Sequence, residues 1–388
     1  MKSPKFPVRL LCWISLVLWW FAHPWDAASA AGPKKVPVIV VTDLYHPPQD
    51  VGDNFDLIAA YALPEVDLRA VILDVTEGFR KPVADVPGMY PDRNGPRDPG
   101  FISVLQLNFI FNRHIPCAAG PFTMMKTPAD KMEAVPAFQQ QGIELILKTL
   151  RESDEPIEMA SFGSARPIAA AYNRQPELFR RKLRRLHLSA GASEAGVEEW
   201  NVQLDRQAVV CLLRSKLPVA IYPCSGGKDG YSSHNSYWKL PNLNFIEQMD
   251  PALKAYLAYA FGRLHRADFL RAVQAEVPAT WRPEQLAQPH NVWETAVWLN
   301  IARRKLVRRE GAWRIVPASE VQPHDTVLPN ELRPCHLQVK DNGEFSFEIT
   351  SKSSNFSIYD RGDPRLNETA LREALPALYL SFKPSKAD

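Results

Sequence analysis

The run Val36-Pro-Val-Ile-Val-Val-Thr-Asp43 constrains the fold of this chain more than any other stretch. A short, β-branched, unbroken apolar run predicts a strand buried on both faces, as inside a parallel sheet covered by helices. Asp50-Val-Gly-Asp53-Asn-Phe-Asp56 follows, opening an apolar-periodic segment that predicts a helix through Leu63. The acids therefore collect at the carboxyl end of a strand, the edge where open α/β sheets bind ligands. Carboxylates gathered there repel one another unless a cation lies among them, and a hard cation with oxygen ligands, Ca²⁺ or Mg²⁺, meets that need. A plainer reading makes Asp53 a helix cap and Asp56 a first-turn acid that suits the helix dipole. It accounts for Asp56 and leaves Asp43 unexplained.

Ahead of this strand, Lys2, Lys5 and Arg9 precede an apolar run over residues 10–22, and Ala28-Ser-Ala30 supplies small residues at cleavage spacing. Together these predict a signal peptide over residues 1–30 and export to a periplasm or the cell exterior, with no stable membrane anchor after cleavage. The apolar run is short beside the ~20 residues of a bilayer span. The formal net charge of +3 comes with no basic stripe interleaved by aromatics, which argues against nucleic acid as a partner. Cys117, Cys211, Cys224 and Cys335 lack any CxxC spacing, so no zinc site is expected. Buried free thiols are the expectation, with one disulfide left open in an oxidising compartment.

Strands are predicted over residues 38–41, 68–73, 157–160, 185–188 and 219–222, and helices over 56–63, 100–112, 138–152, 167–173 and 206–215. Such alternation implies an α/β class: a mostly parallel sheet with helices on both faces, in one domain over residues 31–388. A Pro-, Gly- and Asp-rich loop over residues 78–99 leaves the same sheet edge as Asp43 and is long enough to be functional. Residues 291–308 read as an amphipathic helical span, and residues 336–349 as a hairpin around Asp341-Asn-Gly343, within a carboxy-terminal addition over residues 309–388.

The order of motifs resembles the inosine-uridine-preferring nucleoside hydrolase family from about Val36 to Arg308. Thr42-Asp43 with the acids from Asp50 to Asp56 is similar to that family's amino-terminal aspartate cluster, and Ile115-Pro-Cys-Ala-Ala-Gly120 to its "IPVYAG" step. Ala160-Ser-Phe-Gly163 stands at its glycine turn and Leu186-His-Leu-Ser-Ala-Gly-Ala192 at its "IVxMGGA" strand. Glu198-Glu-Trp-Asn201 with Asp205 resembles its "AEFNxxxD" ribose segment, and His290-Asn291 its "HD" pair.

This resemblance implies a Rossmann-like fold, a Ca²⁺ cofactor and hydrolysis of the N-glycosidic bond of a small-molecule ribonucleoside or related riboside. It implies that Asp43 touches the metal and serves as base for the attacking water, with Asp53 as bidentate metal aspartate. Phe162 would lend its carbonyl, Asn291 would hold the last metal position, and Asp50 would compensate for lost charge. Glu199 and Asn201 would hydrogen-bond the sugar hydroxyls, and His290 would help the nucleobase leave. Three positions depart from the pattern: Val41 and Gly52 stand where the family has aspartates, and Asn291 replaces its last metal aspartate. An asparagine gives a carbonyl oxygen without charge, so cation affinity should fall. A catalytically impaired sugar- or nucleoside-binding module is therefore the second reading. An export-associated interaction protein is a third, and leaves the acids unexplained. Homo-oligomerisation stays open.

Overall fold

A computed structural model describes residues 34–46, 52–79, 97–227, 229–261, 269–277, 279 and 281–384. The expected leader over residues 1–30 lies outside them, and Lys35–Asp388 forms one compact unit. Val36–Thr42 is a strand with every residue buried, flanked in parallel by Val66–Leu73 on one side and Ile157–Phe162 on the other. Its alternation divides two cores. Val38 and Val40 face a cluster with Phe55, Leu107, Leu257 and Trp298, whereas Ile39 and Val41 face Ile143, Ile168 and Leu212. Each such side chain, fully buried, contributes roughly 1.5–3 kcal/mol. An unbroken β-branched run is what a strand covered on both faces requires.

The central sheet has nine strands, in the order Phe345–Ile349, Glu331–Val339, Phe356–Asp360, Val219–Tyr222, Leu183–Ser189, Ile157–Phe162, Val36–Thr42, Val66–Leu73 and Cys117–Ala119. From the first strand the chain builds outward to Cys117–Ala119, then returns to place Ile157–Phe162 on its other side. Strand order thus reverses between Val36–Thr42 and Ile157–Phe162. At such a switch point the loops leave in opposite directions and a crevice opens at the carboxyl ends. The expected α/β class and mostly parallel sheet are present, and the helices Phe101–Ile110, Ala137–Glu152, Arg166–Arg174 and Arg206–Leu213 lie near their expected bounds.

The carboxy-terminal third departs from expectation. Residues 291–308 are not one helical span: the strand His290–Val292 precedes a short helix, Thr295–Ile301, and Arg304–Arg309 is a strand paired with Ala312–Pro317. Glu310 and Gly311 take φ of 52° and 82°, the left-handed pair a tight hairpin turn needs, and pairing across that turn overrides the helical period. The hairpin expected over residues 336–349 is present as Glu331–Val339 with Phe345–Ile349. It is no appendage, because Phe356–Asp360 inserts in parallel beside Val219–Tyr222 and carries the hairpin onto the central sheet. An 18-residue helix, Pro364–Ser381, then docks Tyr379 against Phe55, with its hydroxyl donating to the Phe55 carbonyl at 2.9 Å. The four cysteines among the described residues, Cys117, Cys211, Cys224 and Cys335, are free thiols. Among the described residues no helix is long and apolar enough to cross a membrane.

Candidate functional site

A cavity of about 470 Å³ opens at the switch point. Asp43, just past the first strand, Asp53, in the first turn of Gly52–Ala62, and Phe162, the last residue of Ile157–Phe162, line one side. Glycine at 163 permits this convergence: a Cβ there would sit 3.2 Å from the Asp43 Cβ and 2.9 Å from Asp74 Oδ2. Glu198, Glu199, Trp200, Asn201, Trp293 and Glu294 also line the cavity.

Glu199 and Asn201 are placed by local chemistry. Glu199 caps the short helix Trp200–Leu204, accepting from the N–H groups of Asn201 at 3.0 Å and Val202 at 3.1 Å. It also accepts from Gly191 N–H at 2.7 Å, and Gly191 holds φ +86° beside the Phe345 ring, a conformation only glycine takes cheaply. Burial pushes the Glu199 carboxyl above its ordinary range, while those three N–H groups pull it back. Asn201 donates through Nδ2 to the Ser189 carbonyl at 2.7 Å. A lone loop acid would be solvated; this one is buried and held.

Arg166 is fully buried and binds Asp205 through Nε at 2.8 Å. Its guanidinium also reaches the Val75, Pro121 and Leu204 carbonyls and the Thr76 hydroxyl. Asp205 in turn accepts from the Met125 and Ala208 N–H groups. This cluster ties the start of Arg206–Leu213 to the ends of Val66–Leu73 and Cys117–Ala119. Asp205 is therefore a framework residue.

The structure thus brings Asp43, Asp53, Phe162, Glu199 and Asn201 to one cavity. Asp50 lies outside the described residues. His290 and Asn291 do not line the cavity: they sit on a strand paired with Trp238–Leu240, where Asn291 is exposed and its Oδ1 accepts from the Tyr237 hydroxyl at 3.0 Å. Burial lowers the His290 pKa below the ordinary histidine range. The carboxylate that this segment sends to the cavity is Glu294, which sequence reasoning passed over. Its signal was an acid directly ahead of the buried Thr295–Ile301 helix, masked by the better-known pairing at His290-Asn291. Trp238 is fully buried and bonds Thr295, whereas Tyr237 packs on Trp293 at 5.7 Å.

The described lining residues include five acids, Asp43, Asp53, Glu198, Glu199 and Glu294, of which Glu198 pairs with Arg206 at 3.3 Å. Such a lining accepts hydrogen bonds from hydroxyls, attracts cations and repels phosphate. Among the described residues no three His, Cys, Asp or Glu side chains converge closely enough to hold a metal ion.

No family model matches the chain. It is 28% identical over 207 residues to the pyrimidine-specific ribonucleoside hydrolase RihA of Enterobacter sp. (strain 638), covering 48% of this chain and 59% of that protein. The RihA of Escherichia coli O127:H6 (strain E2348/69 / EPEC) is 28% identical over 190 residues, covering 44% and 55%. The chain spans little more than half the length of these curated relatives. Among solved structures, a plant nucleoside hydrolase, PpNRh1, is 14% identical with a TM-score of 0.49, covering 89% of this chain and 100% of its own. An inosine-guanosine nucleoside hydrolase is 15% identical with a TM-score of 0.46, covering 87% and 97%.

Proposed function

We propose that this chain, a diverged relative of the nucleoside hydrolases, hydrolyses the N-glycosidic bond of an unphosphorylated riboside, with Ca²⁺ at the Asp43 end of the cavity. One observation carries the reading: the buried pair Glu199 and Asn201 lines the same cavity as Asp43, Asp53 and Glu294 at the sheet's switch point. Asp43 and Asp53 with the Phe162 carbonyl are hard oxygen donors, and Ca²⁺ completes a set of 6–8 oxygens with water. They fit a loosely held cation. Glu294 takes over in this reading the anionic part that Asn291, exposed and bonded to Tyr237, does not play.

Cleavage passes through an oxocarbenium-like state, which needs an activated water on one face of the sugar and anionic surroundings to steady the developing charge. Asp43 accepts the proton of the attacking water. When bound, the cation supplies the Lewis acidity that eases that deprotonation. Three backbone N–H groups and the Cys224 thiol bind the Glu199 carboxylate, and in this reading a sugar hydroxyl takes the place of the weak thiol donor. Trp200, 43% exposed, and Trp293 offer indole faces to a nucleobase. His290, as an acid for the leaving base, would serve only below the ordinary histidine range, because burial lowers its pKa. Export through the leader over residues 1–30 belongs to the same proposal, and the cleaved amino terminus of secreted protein tests it.

The deciding experiment measures free base released from pyrimidine and purine ribonucleosides in Ca²⁺. Release is expected from at least one, none from the matching 5′-monophosphate, and a drop of roughly 10²–10⁴-fold in Asp43→Asn, the scale of a lost general base. Saturable riboside binding without base release in the parent would establish the binding-module reading instead.

A further inference from the structure

We propose that Arg361 is a positioning residue for the nucleobase side of the cavity: from the carboxy-terminal segment it holds the loop 229–240 that sets Tyr237 against Trp293. The inference rests on the riboside reading for its substrate and on geometry alone for the contact.

Arg361 follows the strand Phe356–Asp360 and is 1% exposed. Its Nε donates to the Ser232 carbonyl at 3.0 Å, Nη1 to the Tyr237 carbonyl at 2.6 Å and Nη2 to Asn235 Oδ1, while its backbone N–H donates to the Ser233 carbonyl at 2.9 Å. One planar guanidinium thus holds a single loop at three points, Ser232, Asn235 and Tyr237. Asn235, itself fully buried, relays the grip by accepting from Ser232 N–H and donating to the Gly230 carbonyl. Burying a guanidinium is costly unless its donors are matched, so the loop is held in the one shape that matches them.

The held loop reaches the cavity in two steps. The Tyr237 hydroxyl donates to Asn291 Oδ1 at 3.0 Å, and its ring lies 5.7 Å from that of Trp293, which lines the cavity. A second tie comes from the last helix, where Glu368 accepts from the Tyr231 hydroxyl and from Lys239 N–H at 3.0 Å. Both ends of residues 231–239 are therefore clamped by residues beyond 355. The contacts of this clamp run to Tyr237 and through it to Trp293 and Asn291, so it acts on the placement of the base.

Arg361→Lys in the mature protein tests this, because lysine keeps the charge but cannot satisfy three acceptors in one plane. Hydrogen exchange in residues 229–240 and 290–294 is expected to quicken by about tenfold while the central strands stay protected. For riboside hydrolysis, KM is expected to rise roughly tenfold with kcat within about twofold. Placed on Tyr237→Ala, the substitution should raise KM no further, since both act through the same ring. Parent-like exchange in the loop, or a uniform loss of protection across the sheet, overturns the proposal, as does a fall in kcat at constant KM. Should the parent cleave no riboside, the functional reading fails on its own, and the exchange pattern alone decides whether Arg361 positions the loop.

Discussion

The two ends of the central sheet do different work at one cavity. The strands from Ile157–Phe162 to Cys117–Ala119 are all parallel, and their carboxyl ends send in acids: Asp43 directly, Asp53 from the following helix. The far edge, built from Glu331–Val339, Phe345–Ile349 and Phe356–Asp360, sends no residue to that cavity but fixes the loop beside Trp293 through Arg361. The parallel half brings Asp43 and Asp53, and the far edge shapes that loop. Parallel strands end together, so side chains just beyond them converge without help. Loops do not converge unaided and need an anchor from elsewhere in the fold.

The largest expected effect breaks the parallel half itself. Arg166→Ala strips a buried guanidinium from Asp205 and leaves that carboxylate unpaired at zero exposure, a loss of about 3–5 kcal/mol. Urea unfolding monitored by circular dichroism measures it. A loss below about 1 kcal/mol, the surface-pair range, would mean that this cluster does not hold the two halves of the site together.

A smaller effect sharpens where function and stability meet. Because Glu199 caps a helix and accepts Gly191 N–H, Glu199→Ala should cost roughly 1–3 kcal/mol of stability as well as riboside affinity. Glu199→Gln keeps one carbonyl acceptor and should recover part of the stability. Asn201→Ala removes the bond to the Ser189 carbonyl and a long contact to Cys224 Sγ, and should cost about 1 kcal/mol. If Glu199→Ala melts like the parent, the cap is not what places this residue.

The smallest effect is a pH dependence in the sheet interior. His187 Nε2 lies 2.8 Å from Glu158 and Nδ1 2.9 Å from the Tyr222 hydroxyl, and burial lowers the His187 pKa. The unfolded chain then takes up this proton first, so the stability present above the unfolded value of about 6.5 is lost as pH falls through it. Glu158, held below its ordinary range against its own burial by the His187 hydrogen bond and charge and the nearby Arg185 and Arg184, adds a loss further down. Glu199, with its carboxyl raised by burial, works in the opposite sense. The expected result is a stability difference between pH 7 and pH 5 that shrinks in His187→Gln. An unchanged difference would assign the dependence to other groups.

Much of the parallel half was legible because its signals are local. Val36–Thr42 advertises burial on both faces, and Glu199-Trp-Asn201 carries its spacing in three letters of sequence. The carboxy-terminal edge was not legible in the same way. The residues of Arg304–Arg309 can be read with a helical period, and only pairing with Ala312–Pro317 across a left-handed turn makes them a strand. Asn291 and Glu294 are three residues apart, and one turn of strand and bend decides which faces the cavity.

The sequence by itself determined the α/β alternation and the buried first strand with the acids after it, since periodicity and short-range spacing are properties of neighbours along the chain, while the Glu199 and Asn201 pair was read through the family resemblance. Only the tertiary structure decided that Glu294 lines the cavity while Asn291 bonds Tyr237, that Asp205 belongs to Arg166, and that residues beyond 355 hold the loop beside Trp293. These are contacts between segments distant in sequence, and closing a long loop costs nearly the same entropy whichever partner is met. Packing and the matching of buried donors to acceptors then select the partner.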